Sequence, residues 1–419
     1  MRKISGYTSI KNYGTVPVLV FILFLSSCHK EITTSNQTGV TATGNFSQVF
    51  EDFWTNMNQN YVFWSIDTTN WDNMHTVYAP KFAALNLYDS ADEVTANSYF
   101  KAMVDGLTDS HYTLQLATGV SIQPAHDRKL NNPQFIENLL QTAPYEPSFD
   151  GKYYFTNTLD TSYLGSKVFG VDTTSSNANF YCVAGLVQNS NILYFAFNKF
   201  ALVSEYQTGP AQVQTALNYF LAQIKNTAIT GLIIDVRGNG GGDISDLNFL
   251  VGSLISSKLN VGYTRSKSGT GRLDYTPWAP SVVTPTGGAT AFAKPIVVLA
   301  DGESVSMAEL TTMSLKLLPN TTIVGDTTWG ANGPLTTNSV YNAGSFNFGN
   351  YYTNIETGSV SYYGNAYTSS VMFKYINGNI YEGKGFPPDY ELKITPDNFY
   401  TASGKPHDAQ LEKAISLLQ

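Results

Sequence analysis

Two short apolar runs set the tightest limit on the fold of this chain. Residues 231–236 (GLIIDV) and 295–300 (PIVVLA) each precede a loop and then a stretch with helical spacing of apolar residues. Such runs are typical of strands covered on both faces, as in parallel sheets. Further strands are predicted at 192–197 and 323–325, and helices at about 210–226, 243–257 and 305–318. This alternation predicts an α/β core with parallel strands over about 190–330.

A different pattern precedes this core. Apolar residues, many of them aromatic, recur at helical spacing over about 45–110, beginning with Phe46, Val49 and Phe50. Three such stretches predict a small N-terminal helical bundle. We interpret the aromatic stripe as packed core and not as a cofactor site. Residues 112–195 carry weaker patterns, with short β-type runs among them.

Charge and cysteine content limit the possible functions. The 419 residues carry a formal net charge of −8 and no basic stripe, which argues against a nucleic-acid partner. Apart from Cys28, the chain holds only Cys182, and a lone cysteine forms no internal disulfide. We interpret Cys182 as a buried structural thiol. The sequence has no metal-type cysteine spacing and implies no metal or organic cofactor.

The first residues resemble an export signal. A basic start precedes the apolar run at 16–25, which is too short to span a bilayer of about 30 Å as a helix. The run ends in LSSC, which resembles a bacterial lipobox and implies cleavage before Cys28 and acylation of its thiol. The alternative is an ordinary signal peptide with an incidental cysteine. The lipobox predicts a signal peptide at 1–28, a flexible tether at 29–44, and a lipid anchor in the bacterial cell envelope, at the outer membrane.

The loop after the first apolar run is rich in glycine. Residues 235–242 (DVRGNGGG) hold four glycines within five positions, more than a tight turn requires. Glycine lets a backbone approach a ligand closely and leaves N–H groups free for an anion. Phosphate sites and oxyanion holes both use such groups. The phosphate interpretation is weak, because neither the GxxxxGK[ST] nor the GxGxxG spacing is present.

Three further segments hold candidate catalytic side chains, and each is weak evidence alone. Ser306 follows the second apolar run and precedes a helix, where a serine is most often a cap. His111 ends the helical region, and a lone histidine is usually structural. Glu382 lies in a loop of glycines and prolines, where an acidic residue either orients a histidine or faces solvent.

Together these segments resemble the family of C-terminal processing (tail-specific) peptidases, tricorn core peptidases and interphotoreceptor retinoid-binding proteins. The matching motifs are LxDxH at 107–111, DxRxNxGG at 235–242, SxSxxE at 304–309, VGxxTxG at 324–330 and ExxGxxPD at 382–389. The resemblance covers roughly 46–419, and residues 408–414 match the usual final helix. It implies a ClpP/crotonase-like α/β core and a serine endopeptidase that acts on peptides or unfolded proteins.

The resemblance also assigns roles. The processing-protease branch pairs its serine with a lysine, but Ala331 stands at the matching position and no lysine lies between Lys316 and Lys374. The tricorn-like branch uses a Ser–His pair helped by a second serine and a glutamate. Carried over residue by residue, the catalytic set is Ser306 as nucleophile, His111 as general base, Glu382 and Ser110. The implied oxyanion hole consists of N–H groups of Gly241 or Gly240 and of Met307.

Residues 116–190 and the reaction itself each allow more than one interpretation. Many relatives carry a PDZ module, and 116–190 contains no recognisable one. We therefore predict a helical bundle at 45–115, a β-rich segment at 116–190 and the peptidase core at 191–419.

Retinoid-binding relatives indicate that this fold also binds apolar ligands, so a catalytically inactive lipoprotein that binds peptides or apolar ligands is an alternative. An esterase or amidase is another, since the same groups stabilise any tetrahedral intermediate.

Overall fold

The structure is a computed structural model that describes residues 40–42, 44–132, 163–174, 179–335, 344–354, 357–393 and 408–419. The predicted signal peptide, the lipidation site Cys28 and the tether up to residue 39 lie outside the described residues. Residues 40–42, at the end of the predicted tether, form a short strand.

The helices and strands of the described residues are numbered here in chain order. The helices are α1 (Phe46–Asn60), α2 (Trp71–Ala83), α3 (Ser90–Val104), α4 (Pro124–Leu130), α5 (Leu202–Thr208), α6 (Ala211–Gln223), α7 (Asp246–Leu250), α8 (Met307–Leu315) and α9 (Ala409–Leu418). The strands are β1 (Val40–Ala42), β2 (Thr113–Leu116), β3 (Ser121–Ile122), β4 (Leu164–Asp172), β5 (Phe180–Val187), β6 (Ile192–Phe197), β7 (Gly231–Asp235), β8 (Leu259–Ser266), β9 (Ala279–Val283), β10 (Ile296–Ala300), β11 (Thr321–Gly325), β12 (Ser345–Asn354), β13 (Val360–Tyr367), β14 (Val371–Tyr375) and β15 (Tyr390–Glu391). Among these described helices, none has both the length and the apolar character needed to cross a membrane.

A mixed sheet forms the centre of the α/β core, with the strand order β15-β11-β10-β7-β6-β5-β4. Five neighbouring strands pair in parallel: β15, β11, β10, β7 and β6. Strands β5 and β4 continue the sheet beyond β6 by antiparallel pairing. The four strands predicted from apolar runs are therefore confirmed, and they lie side by side. Because parallel strands end at the same edge of a sheet, the loops after β7 and β10 are neighbours.

Helices cover both faces of this sheet, which explains why the runs are apolar throughout. On one face α6 packs against β6, where the rings of Phe195 and Phe220 stack with centroids 4.1 Å apart. On the other face Leu411 of α9 packs among residues of the same strands, including Tyr194. Cys182 on β5 is a free, buried cysteine inside the first of these layers.

The helix predicted at 243–257 is shorter than expected. Only α7 and a single 3-10 turn (Val251–Ser253) form there. Phe200 explains the late start: its N–H donates to the carbonyl of Gly241 at 2.8 Å, and its carbonyl accepts from the N–H of Asp243 at 2.9 Å. These two bonds hold residues 241–243 extended, so the helix begins only after them.

The N-terminal helical region is confirmed, and its core is completed by distant strands. Helices α1 to α3 pack on a second sheet with the order β1-β12-β13-β2-β3. The ring of Phe53 lies 4.9 Å from that of Phe348, and the ring of Phe46 lies 5.3 Å from that of Tyr363. Contacts thus cross the predicted boundary at 115, and β4 and β5 join the central sheet across the boundary at 190. The domain division stays a prediction.

Candidate active site

Ser306 lies in the loop between β10 and α8, at the carboxyl edge of the central sheet. Its backbone has φ 56° and ψ −112°, a conformation that L-residues rarely adopt and that costs about 1–3 kcal/mol. The loop is fixed two residues earlier, where the buried Ser304 hydroxyl donates to the carbonyl of Val236 at 2.7 Å. The half-buried Ser306 side chain is thus presented by a loop tied to the end of β7.

Glu309 binds the backbone around Ser306 from inside the protein. Its carboxylate is fully buried and accepts hydrogen bonds from the N–H of Ser306 (3.2 Å), the hydroxyl of Thr328 (2.5 Å), and the N–H groups of Gly330 (2.7 Å) and Ala331 (2.6 Å). Burial raises the pKa of this carboxyl, and the four donors oppose that shift. The glutamate of the SxSxxE motif therefore joins the serine helix to the VGxxTxG segment.

The glycine-rich loop after β7 lies directly against the serine. Gly241 has φ 90°, and a Cβ added there would lie 2.7 Å from the Cβ of Ser306 and 3.0 Å from the amide nitrogen of Met307, so only glycine fits. The N–H of Gly241 donates to Oδ1 of Asn239 at 2.9 Å. Gly240 is exposed and lines a cavity. Of the two alternatives for the oxyanion donor, this geometry favours Gly240.

The first half of the DxRxNxGG motif is structural. The buried guanidinium of Arg237 pairs with Asp235 at 2.6 Å and with Asp408 at 2.9 Å, and it also donates to Gln410. Tyr194 donates to Asp235 at 2.7 Å. Removing one partner of such a buried pair leaves an uncompensated charge, which typically costs about 3–5 kcal/mol. The network holds the start of the glycine loop against α9.

His111 follows α3 in a segment fixed by a buried aspartate. Oδ1 of Asp109 accepts the N–H of His111 at 2.9 Å, while Oδ2 accepts the hydroxyl of Thr368 at 2.6 Å and the N–H of Ser369 at 2.7 Å. Nδ1 of the imidazole is buried and has no hydrogen-bond partner among the described residues. Burial lowers the pKa of His111, and the negative charge of Asp109 opposes this shift.

Glu382 lies beside this histidine. Its buried carboxylate accepts the N–H of Ser110 at 2.8 Å and the N–H groups of residues 332–333, both at 2.7 Å. One oxygen of Glu382, one of Asp109 and one ring nitrogen of His111 all lie within 4.8 Å of one another. Burial, and then the charge of Asp109, raise the pKa of Glu382 well above its usual value. The structure thus brings together the predicted imidazole and carboxylate.

These three side chains also have the separations of a metal site. Both carboxylates, however, already accept several N–H or hydroxyl donors. A hydrogen-bonded carboxylate next to an imidazole suits the orientation of a histidine better than the binding of a metal ion.

The serine and histidine segments are joined through one stretch of backbone. Glu309, on the serine helix, binds the N–H groups of residues 330–331, and Glu382, beside the histidine, binds those of 332–333. The two segments also face one cavity of ≈ 350 Å³. It is lined by Ser110, Gln123, His126, Gly238, Gly240, Glu303, Val305 and Trp329. The immediate neighbours of His111 and of Ser306 therefore meet at the same opening.

Two family models match parts of this chain. The model of peptidase family S41 matches residues 191–392, and that of the tricorn protease C1 domain matches residues 43–94. The chain belongs to peptidase family S41. It is accordingly a serine-type peptidase, and the family predicted from the motifs is confirmed.

Solved structures agree with this S41 fold. A putative peptidase from Parabacteroides merdae superposes with a TM-score of 0.60 at 21% identity, covering 90% of this chain and 97% of that one. Mature CPAF complexed with lactacystin superposes with a TM-score of 0.50 at 10% identity, covering 89% and 97%. No curated protein matches the sequence.

Sequence reasoning missed one cation near the site of this S41 peptidase. Lys129 of α4 donates from Nζ to the carbonyl of Trp329, and Nζ lies 4.3 Å from the centre of the indole ring. Burial lowers the pKa of Lys129 to about 8, opposed by the charges of Glu309 and Glu382. The sequence correctly excludes a lysine at Ala331, but no local pattern indicates that a lysine two hundred residues earlier approaches the same loop.

Proposed function

We propose that this S41 peptidase is an envelope-anchored endopeptidase that hydrolyses peptides or unfolded proteins through an acyl-enzyme on Ser306. The observation that carries the proposal is the position of the His111 imidazole within 4.8 Å of the buried Glu382 carboxylate. Glu382 and Glu309 of the serine helix both bind the same stretch of backbone, residues 330–333. A half-buried imidazole whose pKa is lowered by desolvation is neutral at pH 7, as a general base must be.

The proposed reaction proceeds in two steps. The Ser306 hydroxyl attacks the scissile carbonyl while His111 accepts its proton, and the carboxylate of Glu382 stabilises the resulting imidazolium. The N–H groups of Gly240 and Met307 stabilise the tetrahedral oxyanion. His111 then protonates the leaving amine. A water molecule hydrolyses the acyl-enzyme by the same route.

Ser110 is proposed as a positioning residue and not as a second nucleophile. Its N–H donates to Glu382, and its buried hydroxyl has no partner among the described residues. Ser110 precedes His111 in the chain and lines the cavity, and we propose that its hydroxyl helps Glu382 to hold the imidazole.

A fluorophosphonate probe tests the nucleophile directly. We expect covalent labelling of the native protein, with the adduct located on Ser306 by peptide mass spectrometry. Labelling should vanish in Ser306→Ala and persist in Ser245→Ala, whose exposed serine lies in the loop after the glycines. A native protein that is never labelled and cleaves no unfolded protein would instead favour the inactive, ligand-binding alternative.

The envelope location is a second element of the proposal and rests on the lipobox-like LSSC at residues 25–28. One acyl chain gives only marginal membrane binding, so stable anchoring is expected to need the multiple chains of a lipoprotein. In a bacterial host, Cys28→Ser should move the protein from the membrane fraction to the soluble fraction. Unchanged membrane association of this variant would contradict acylation at Cys28.

A further inference from the structure

We propose that the cavity beside Ser306 is a subsite for an arginine or lysine side chain adjacent to the scissile bond, recognised by Glu303. This inference rests on the proposed function, because it assigns specificity to the same catalytic site. The cavity of ≈ 350 Å³ is lined by Ser110, which precedes His111, and by Val305, which precedes Ser306. A space of that size accommodates one large side chain.

Among the described residues that line this cavity, Glu303 is the only carboxylate and none is a lysine or arginine. The residue is half-buried and lies three positions before Ser306. Within the described part of the chain, its carboxylate accepts no hydrogen bond and forms no ion pair; its backbone N–H donates to Asp301. An acid that faces a cavity beside a nucleophile without a partner can bind a cation supplied by the substrate.

The surrounding charges strengthen this argument. Burial, and then the charge of Asp301, raise the pKa of Glu303 to about 8, and no cation opposes that shift. The nearby cations already have partners of their own. Arg237 is paired with Asp235 and Asp408, and Lys129 binds the carbonyl of Trp329. A guanidinium entering the cavity would supply the missing charge and favour the ionised form of Glu303.

Two aromatic rings also line the cavity. The rings of His126 and Trp329 have centroids 5.9 Å apart and an interplanar angle of 33°. A planar guanidinium donates two parallel hydrogen bonds to a carboxylate, whereas an ammonium group offers neither planarity nor a fixed fork. The geometry therefore favours arginine over lysine.

The test compares matched peptides after cleavage sites have been mapped in a denatured protein. In the wild type we expect arginine and lysine to be enriched at one of the two positions flanking the cut. We expect kcat/KM for an arginine peptide to exceed that for its citrulline counterpart by about 10- to 100-fold. In Glu303→Gln this ratio should fall at least about tenfold. In Glu391→Gln, which removes an equal charge from exposed strand β15, the ratio should stay at the wild-type value.

Because each ratio is measured within one preparation, a partly misfolded variant does not alter it. Cleavage without enrichment of basic residues, or a ratio unchanged in Glu303→Gln, overturns the subsite. If the probe still labels Ser306 in that case, the proposed peptidase mechanism stands without the subsite. If the probe labels nothing and no protein is cleaved, the proposed function itself fails.

Discussion

Replacing Ser306 with alanine is expected to lower kcat/KM for cleavage of an unfolded protein by about 10⁴- to 10⁶-fold. Alanine removes the oxygen that would attack the carbonyl and leaves the oxyanion donors in place, so only a small residual rate should remain. Serine and alanine carry the same Cβ, and the unusual φ of 56° is therefore equally strained in both. We expect the free energy of unfolding to change by less than about 1 kcal/mol.

The measurement pairs a protease assay with thermal unfolding of the same sample. Ser245→Ala, in an exposed loop, is the matched control and should leave both quantities unchanged. Ser306→Ala protein that unfolds normally but still cleaves within tenfold of the wild-type rate would show that another group attacks the substrate.

Local sequence patterns were sufficient to predict the central parallel strands and the glycine-rich loop. The apolar runs at 231–236 and 295–300 can be buried on both faces only between helices, and they form adjacent parallel strands. The glycines after the first run indicate a close approach of the backbone. The structure accounts for this at Gly241, where a Cβ would collide with Ser306.

Long-range partners were not predictable from those patterns. Asp109 accepts hydrogen bonds from Thr368 and Ser369, about 260 positions later in the chain. Arg237 donates to Asp408, 171 positions later. Hydrogen bonds of this kind leave no periodic signal, because each partner is an ordinary polar residue in its own segment. The cavity wall shows the same limit: His126 of the short helix α4 meets Trp329 only in the folded chain.

Replacing His111 with glutamine is expected to lower kcat/KM by about 10⁴- to 10⁶-fold, nearly as much as the loss of the nucleophile. Glutamine keeps a polar side chain of similar reach but cannot accept the proton of Ser306. Because the two residues act as one unit, the double variant with Ser306→Ala should be little worse than either single variant. His75→Gln, on α2 beside Glu51, is the control and should retain wild-type activity.

The pH profile identifies the base independently of these rate losses. The neutral imidazole is the active form, and burial lowers the pKa of His111 below its usual 6.5. Activity should therefore be complete at pH 7 and fall as the pH drops through a midpoint below 6.5. Lys129 is the other nearby group able to act as a base, and with a pKa of about 8 it would place the midpoint near pH 8. A midpoint near pH 8 that is lost in Lys129→Met and kept in His111→Gln would show that Lys129, and not His111, is the general base. A midpoint below 6.5 that disappears in His111→Gln would assign the role to the imidazole held beside Glu382.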